Sequence, residues 1–127
     1  MSDAFVFMNS FRVVEGKIDA YRAFVSKLVE AVEQNEPDMM QFGIYLNEET
    51  GQATSLQVHR TVENFAVQMN FISQFMAESR EFIDFSAMSA TICGTPTEAI
   101  LAQMRQQAGA GISVAISKSM ASLDRYK

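Results

Sequence analysis

Apolar residues recur along this chain at two spacings, and the same succession of spacings is written twice. From Phe5 to Val14 the period is two: Phe5, Phe7, Asn9, Phe11 and Val13 fall on one side, Val6, Met8, Ser10, Arg12 and Val14 on the other. That is how a β-strand distributes its side chains. Both sides carry large apolar groups, so both are expected to be covered, and the pattern does not say which side meets the helices. Glu15-Gly16 breaks the run. Lys17 to Asn35 then reads at helical spacing, with Ile18, Tyr21, Val25, Leu28, Val29 and Val32 as the apolar stripe. Lys17, Lys27, Glu30 and Glu33 lie toward solvent, and Pro37 stops the helix. Gln41 to Leu46 returns to period two, with Phe42, Ile44 and Leu46 alternating with Gly43 and Tyr45.

The second copy follows a polar hairpin loop, Asn47 to Gly51. Gln52 to Arg60 reads as a strand with Leu56, Val58 and Arg60 on one face and Ser55, Gln57 and His59 on the other. Thr61 is placed to cap a helix and Glu63 to occupy its first turn. One long amphipathic helix is predicted over Val62 to Phe85. Its buried stripe would be Phe65, Met69, Ile72, Met76 and Ile83, with Phe75 and Phe82 beside it. Ala87 to Cys93 reads as a fourth strand. In Thr95-Pro96-Thr97-Glu98, Thr95 is placed to cap, Pro96 to take the first helical position and Glu98 to complete a capping box. The third helix would run to about Gln107 and end at Gly109 and Gly111, with Ile112, Val114 and Ile116 as a short fifth strand.

Strand-helix-strand written twice predicts an α+β fold: the ferredoxin-like split βαβ arrangement, with an extra C-terminal helix and strand. Nothing resembling a linker interrupts it, so residues 1–127 are expected to form a single domain. Two helices cover one sheet face, which leaves large apolar side chains on the other. An isologous homodimer packing sheet to sheet would hide them. A fifth strand could then reach the partner's sheet edge.

Composition narrows the partners. The net charge is −5 with a pI near 4.8, which argues against nucleic acid or an anionic membrane, since both need a basic surface. No apolar run has membrane-spanning length, and Met1 to Ala4 lacks the start of a signal peptide. With Cys93 as the single cysteine there is no internal disulfide, and a cytoplasmic location is expected. One His, one Cys and scattered acidic residues do not make a metal site. A glycine-rich phosphate loop and a G-x-S-x-G turn are both absent from the sequence.

Three stretches carry a family resemblance: Asn9-Ser10-Phe11-Arg12-Val13-Val14-Glu15-Gly16, Val58-His59-Arg60-Thr61-Val62-Glu63-Asn64-Phe65, and the tail from Thr95 through Gly111-Ile112-Ser113-Val114 to Arg125-Tyr126. Taken over nearly the whole chain, they resemble the dimeric α+β barrel superfamily, in its antibiotic biosynthesis monooxygenase branch. The resemblance implies a dimer and a pocket between helices and sheet, lined by an asparagine that Asn9 matches. Members include cofactor-independent oxygenases of polyphenols and haem-degrading enzymes. The latter use an asparagine, a tryptophan and a histidine of the second helix. This chain has no Trp and offers Gln68 or Met69 at that helix position, with His59 ahead of it. Haem degradation is therefore disfavoured, and no cofactor is expected.

The residues weighed for chemistry are few. Asn9, between Phe7 and Phe11 on its face, is an amide among aromatics whose hydrogen-bond partner could be a ligand or the protein itself. His59, the one histidine, could serve as a base near neutral pH or simply be structural. Arg60 and Arg12 could hold a phenolate or make solvated ion pairs. Tyr21 and Tyr45 could donate to a ligand or pack. Phe65, Gln68 and Met69 would complete the substrate-binding wall, although methionine at helical spacing also suits plain core. Two functions follow. The first is a cofactor-independent monooxygenase of a small aromatic or polyphenolic substrate, with Asn9 and His59 catalytic. The second is a non-catalytic dimeric protein binding a small apolar ligand.

Overall fold

A computed structural model describes residues 4–108, 113–121 and 123. The elements run β1 (Phe5–Val13), α1 (Ile18–Asn35), β2 (Met39–Asn47), β3 (Gln52–His59), α2 (Val62–Ile72), a 3-10 turn (Ser73–Phe75), α3 (Met76–Ser79), β4 (Ile83–Cys93), α4 (Glu98–Ala108) and β5 (Ser113–Ser117). They build one five-stranded sheet in the order β2-β3-β1-β4-β5. The first four strands pair antiparallel in the split βαβ arrangement, and β5 adds to β4 in parallel. This is the α+β ferredoxin-like fold expected from the doubled pattern, with its extra helix and strand.

The register settles which face of each strand meets the helices. Phe5, Phe7, Asn9 and Phe11 of β1 stand opposite His59, Gln57, Ser55 and Ala53 of β3. Phe42 and Ile44 of β2 continue the same face outward. Phe11, Val13 and Ala53 pack under Tyr21, Phe24, Leu28 and Val32 of α1, with Phe82, Ile83 and Met88 closing that cluster. A second cluster joins Phe5 and Ile92 to Phe65 and Met69 of α2 and to Ile100 and Met104 of α4. All the described long helices thus serve one face. The opposite face presents Val6, Met8, Leu56 and Val58 at its centre, flanked by Gly43 and Tyr45 of β2 and by Cys93 of β4. Tyr45 is 56% exposed, its ring lying over Gly43, where a Cβ would come within 3.1 Å of the tyrosine hydroxyl.

The structure differs from the sequence expectation in three places. The predicted helix over Val62 to Phe85 is shorter and broken. Ser73 Oγ donates to the Asn70 carbonyl at 2.7 Å, and the helix tightens into 3-10 before α3 ends at Ser79. Phe82 and Ile83 therefore lie beyond the helix, and β4 begins at Ile83 rather than Ala87. Tertiary contact overrides the local pattern here: Phe82 packs its ring on Tyr21 and Phe24, and Ile83 pairs with Val13.

The cap of α4 is Thr97, whose Oγ1 accepts from the Ile100 N–H at 3.2 Å, not Thr95, and Pro96 precedes the helix. Starting the helix there turns Ile100 and Met104 onto the core. Finally, β5 extends the chain's own sheet, pairing in parallel with β4. Gly109, Gly111, Ile112, Arg125 and Tyr126 lie outside the described residues.

Other expectations hold. Thr61 Oγ1 accepts from the Asn64 N–H at 3.1 Å, and α1 closes at Asn35 with Glu36 N–H bonded to the Val32 carbonyl.

Candidate functional site

Where α1 and the α2–α3 segment bridge the sheet, they leave a cavity of about 130 Å³. The sheet contributes its floor: Phe7, Asn9 and Phe11 of β1, Phe42 and Ile44 of β2, Ser55 and Gln57 of β3, and Ile83, Phe85 and Met88 of β4. Tyr21, Phe24 and Leu28 of α1 form one wall, Ile72, Phe75 and Ser79 another, and Met104 of α4 reaches it as well. None of these lining residues carries a formal charge at neutral pH. The volume approaches the ~150 Å³ of an engineered apolar cavity that holds one benzene. It is sized to a single aromatic ring.

Into this apolar space β1 turns one amide. Asn9 Nδ2 has a sulfur acceptor, Met88 Sδ, at 3.8 Å, whereas its buried Oδ1 has no hydrogen-bond partner among the described residues. Leaving such an acceptor unmet costs about 1–3 kcal/mol, which a ligand donor could recover. The same face carries a run of polar side chains on β3: Ser55 directly opposite Asn9, then Gln57, then His59. All three are buried. Tyr21 is buried too, and burial pushes its hydroxyl above the usual phenol range, so it stays protonated and can act as a donor.

His59 shares the sheet face of Asn9 but not the cavity. It lies four positions along β3 from Ser55, which stands opposite Asn9, about 14 Å at ~3.4 Å per residue. Its ring is 1% exposed and meets Phe65 edge-on at a centroid separation of 5.2 Å. Its Nε2 is 3.0 Å from Gln57 Oε1, and its Nδ1 has no partner among the described residues. Burial pushes its pKa down to about 4, so the ring is neutral at pH 7 and a weak base.

Of the residues picked out from sequence, the structure brings Phe7, Asn9 and Phe11 together at the cavity. Phe65, Gln68 and Met69 are buried on α2, with Phe65 packed on Phe5 and Phe7, but they stand outside the cavity lining. Arg60 is exposed at the end of β3, and Arg12 lies exposed on the opposite sheet face, across from Asp84. Sequence reasoning passed over Ser55 and Gln57 as site residues. Their signal was present: three polar residues alternate with Leu56 and Val58, and only the choice of face was missing. Phe24 and Phe85 were also unremarked, and nothing in their local spacing marks them as lining. Among the described residues, no three His, Cys, Asp or Glu side chains converge as a metal-binding group. No described helix is long and apolar enough to cross a membrane.

No protein-family model and no curated protein matches the sequence, but solved structures do match the fold. MupZ from Pseudomonas fluorescens superposes with a TM-score of 0.71 at 14% identity, covering 98% of this chain and 96% of its own. Rv0793 from Mycobacterium tuberculosis gives 0.61 at 13% identity over 76% of this chain and 99% of its own. A Bacteroides thetaiotaomicron protein provisionally named an antibiotic biosynthesis monooxygenase gives 0.57 at 10% identity, over 65% and 81% respectively. The chain shares the α+β fold of these structures.

Proposed function

We propose that this chain, built on the antibiotic biosynthesis monooxygenase fold, is a cofactor-independent monooxygenase of a small phenolic compound with one ring in the cavity. The observation that carries this reading is Asn9 Oδ1, an unmet buried acceptor in an uncharged, aromatic-lined space the size of one ring. A phenolic O–H donating to Oδ1 would satisfy it and fix the ring's orientation. The aromatic rings supply flat contact and keep water out. In such a site the electron-rich substrate itself reduces dioxygen. A ring carbon forms a bond to oxygen, the O–O bond then breaks, and the two hydrogens lost by the phenol leave with the second oxygen atom as water. The product is a quinone. Because no strong base among the described residues lines the cavity and His59 sits apart from it, the substrate must bring its own acidity, as electron-rich polyphenols do.

The test is oxygen consumption with a panel of single-ring dihydroxyaromatic compounds. Uptake is expected with at least one of them and should fall tenfold or more in Asn9→Ala. Uptake that survives Asn9→Ala would overturn the assignment of Asn9. One observation favours a second reading: among the described residues, Tyr21 is the single titratable side chain lining the cavity, and it stays neutral. Saturable binding without oxygen uptake would identify the chain as a non-catalytic ligand-binding protein.

Either protein would work as a homodimer. What supports this is the second sheet face, where Val6, Met8 and Leu56 are only partly buried around Val58 and no described helix packs on them. A second copy laid face to face would cover them.

A further inference from the structure

The polar run on β3 does not stop at the part of the cavity facing Asn9. Gln57 lies two residues beyond Ser55, about 7 Å along the sheet at ~3.4 Å per residue, and it lines the cavity as well. Its Oε1 is engaged by His59 Nε2 at 3.0 Å. That contact fixes which end of the amide is taken and leaves the Gln57 Nε2 donor for another partner. Across from β3, Gln68 is one of the buried residues of α2. It sits one helical turn from Ile72, which lines the cavity, and one turn from Phe65, which packs on His59. Gln68 is 1% exposed, and neither Oε1 nor Nε2 has a hydrogen-bond partner among the described residues. An amide with both ends unmet in a core is expensive. His59 Nδ1, equally unmet, adds one more acceptor to the same end.

We propose that Gln57, which lines the cavity, and Gln68, one helical turn beyond the lining at Ile72, with His59 holding the Gln57 amide in place, form a second polar pole at the end of the cavity away from Asn9, one that recognises an uncharged hydrogen-bonding substituent on the ligand ring. This rests on the reading that the cavity takes a phenolic ring, and it names the class: a phenol bearing a neutral donor–acceptor group across the ring, such as a carboxamide or second hydroxyl. The two poles are complementary, since Asn9 offers an acceptor while the Gln57 and Gln68 amides offer donors and acceptors together. A carboxylate is disfavoured, because no cation among the described residues lines the cavity to compensate its burial. The His59 ring, kept neutral by burial, cannot supply one near pH 7.

Calorimetric titration under anaerobic conditions, with phenol, 4-ethylphenol, hydroquinone, 4-hydroxybenzamide and 4-hydroxybenzoate, tests this. Hydroquinone and 4-hydroxybenzamide are expected to bind about tenfold tighter than phenol, the scale of one added neutral hydrogen bond. The benzoate should bind at least tenfold more weakly than the amide. In Gln57→Leu and Gln68→Leu the amide-to-phenol affinity ratio should collapse toward one. Asn9→Leu should instead weaken every member while keeping the ratio. His59→Phe, which retains a ring against Phe65, should lower the same ratio, a change of specificity that packing alone would not produce. Phenol binding with no preference across the series overturns the second pole and leaves the phenolic reading standing. No binding by any member overturns both.

Discussion

His59 makes the stability of this protein depend on pH in a calculable way. Its pKa lies at about 4 in the folded chain against 6.5 for the free side chain, because burial disfavours the charged ring. Between those values the unfolded chain binds a proton that the folded chain does not, so stability falls as the pH is lowered through the window. The full difference is about 3 kcal/mol at 1.36 kcal/mol per unit. Between pH 7 and pH 4.5 the two titration curves give a loss of about 2 kcal/mol. Two acids also respond. Glu36, raised by partial burial and by Asp38, favours the folded state as pH falls. Asp84, lowered by its hydrogen bonds from Ser86, loses its contribution at still lower pH. Both are shared by a His59→Gln variant, so the comparison isolates His59. Urea unfolding of both proteins, at one fixed concentration to hold any association constant, should show the wild type losing about 2 kcal/mol more than the variant over that range. Parallel losses would refute the burial of a neutral ring at this position.

Three further outcomes follow from the structure. Asn9→Leu removes an unmet buried acceptor and should raise stability by about 1 kcal/mol, read as a higher urea midpoint, while weakening phenol binding at least tenfold. Met8→Lys places a charge in the middle of the uncovered sheet face, and sedimentation should show one-chain mass where the proposed homodimer of the unsubstituted protein is expected to show two. Thr97→Ala should cost about 1 kcal/mol through loss of the α4 cap, whereas Thr95→Ala should change thermal stability by less than about 0.5 kcal/mol.

The backbone plan was legible because period two and period 3.6 are hard to confuse over long runs, and Thr61, Pro37 and the Asn47–Gly51 loop marked the boundaries by local chemistry alone. The end of α2 was not legible. Its stop is enforced by Phe82 meeting Tyr21 and Phe24, contacts that are distant in sequence. The choice between Thr95 and Thr97 was similarly local in appearance and tertiary in fact, decided by which start buries Ile100 and Met104. At the site, Asn9 could be singled out because an amide between two phenylalanines is conspicuous on a single strand. Ser55 and Gln57 could not, since an alternating strand gives no sign of which of its faces points inward until its neighbours are known. His59 was visible as a lone histidine, but the Gln57 contact and the enclosure by Phe65 that weaken it as a base arise only on folding.

Strand β3 carries its serine, glutamine and histidine under the helices and its leucine and valine away from them, the reverse of what its own composition would choose. A slip of one residue would exchange the two sets and offer a greasier interior. What forbids the slip is the short bend before the strand. Asn47 Oδ1 accepts from the Glu49 and Thr50 N–H groups, Gly51 takes a φ of +77°, and the Gly51 carbonyl is tied to Val13 N–H at 2.8 Å. This exposed bend is therefore a gauge for the whole interior. Lengthening it by a single residue would favour a well-packed but half-blind molecule, one that keeps its shape and turns outward the serine, glutamine and histidine that this strand now directs to the interior.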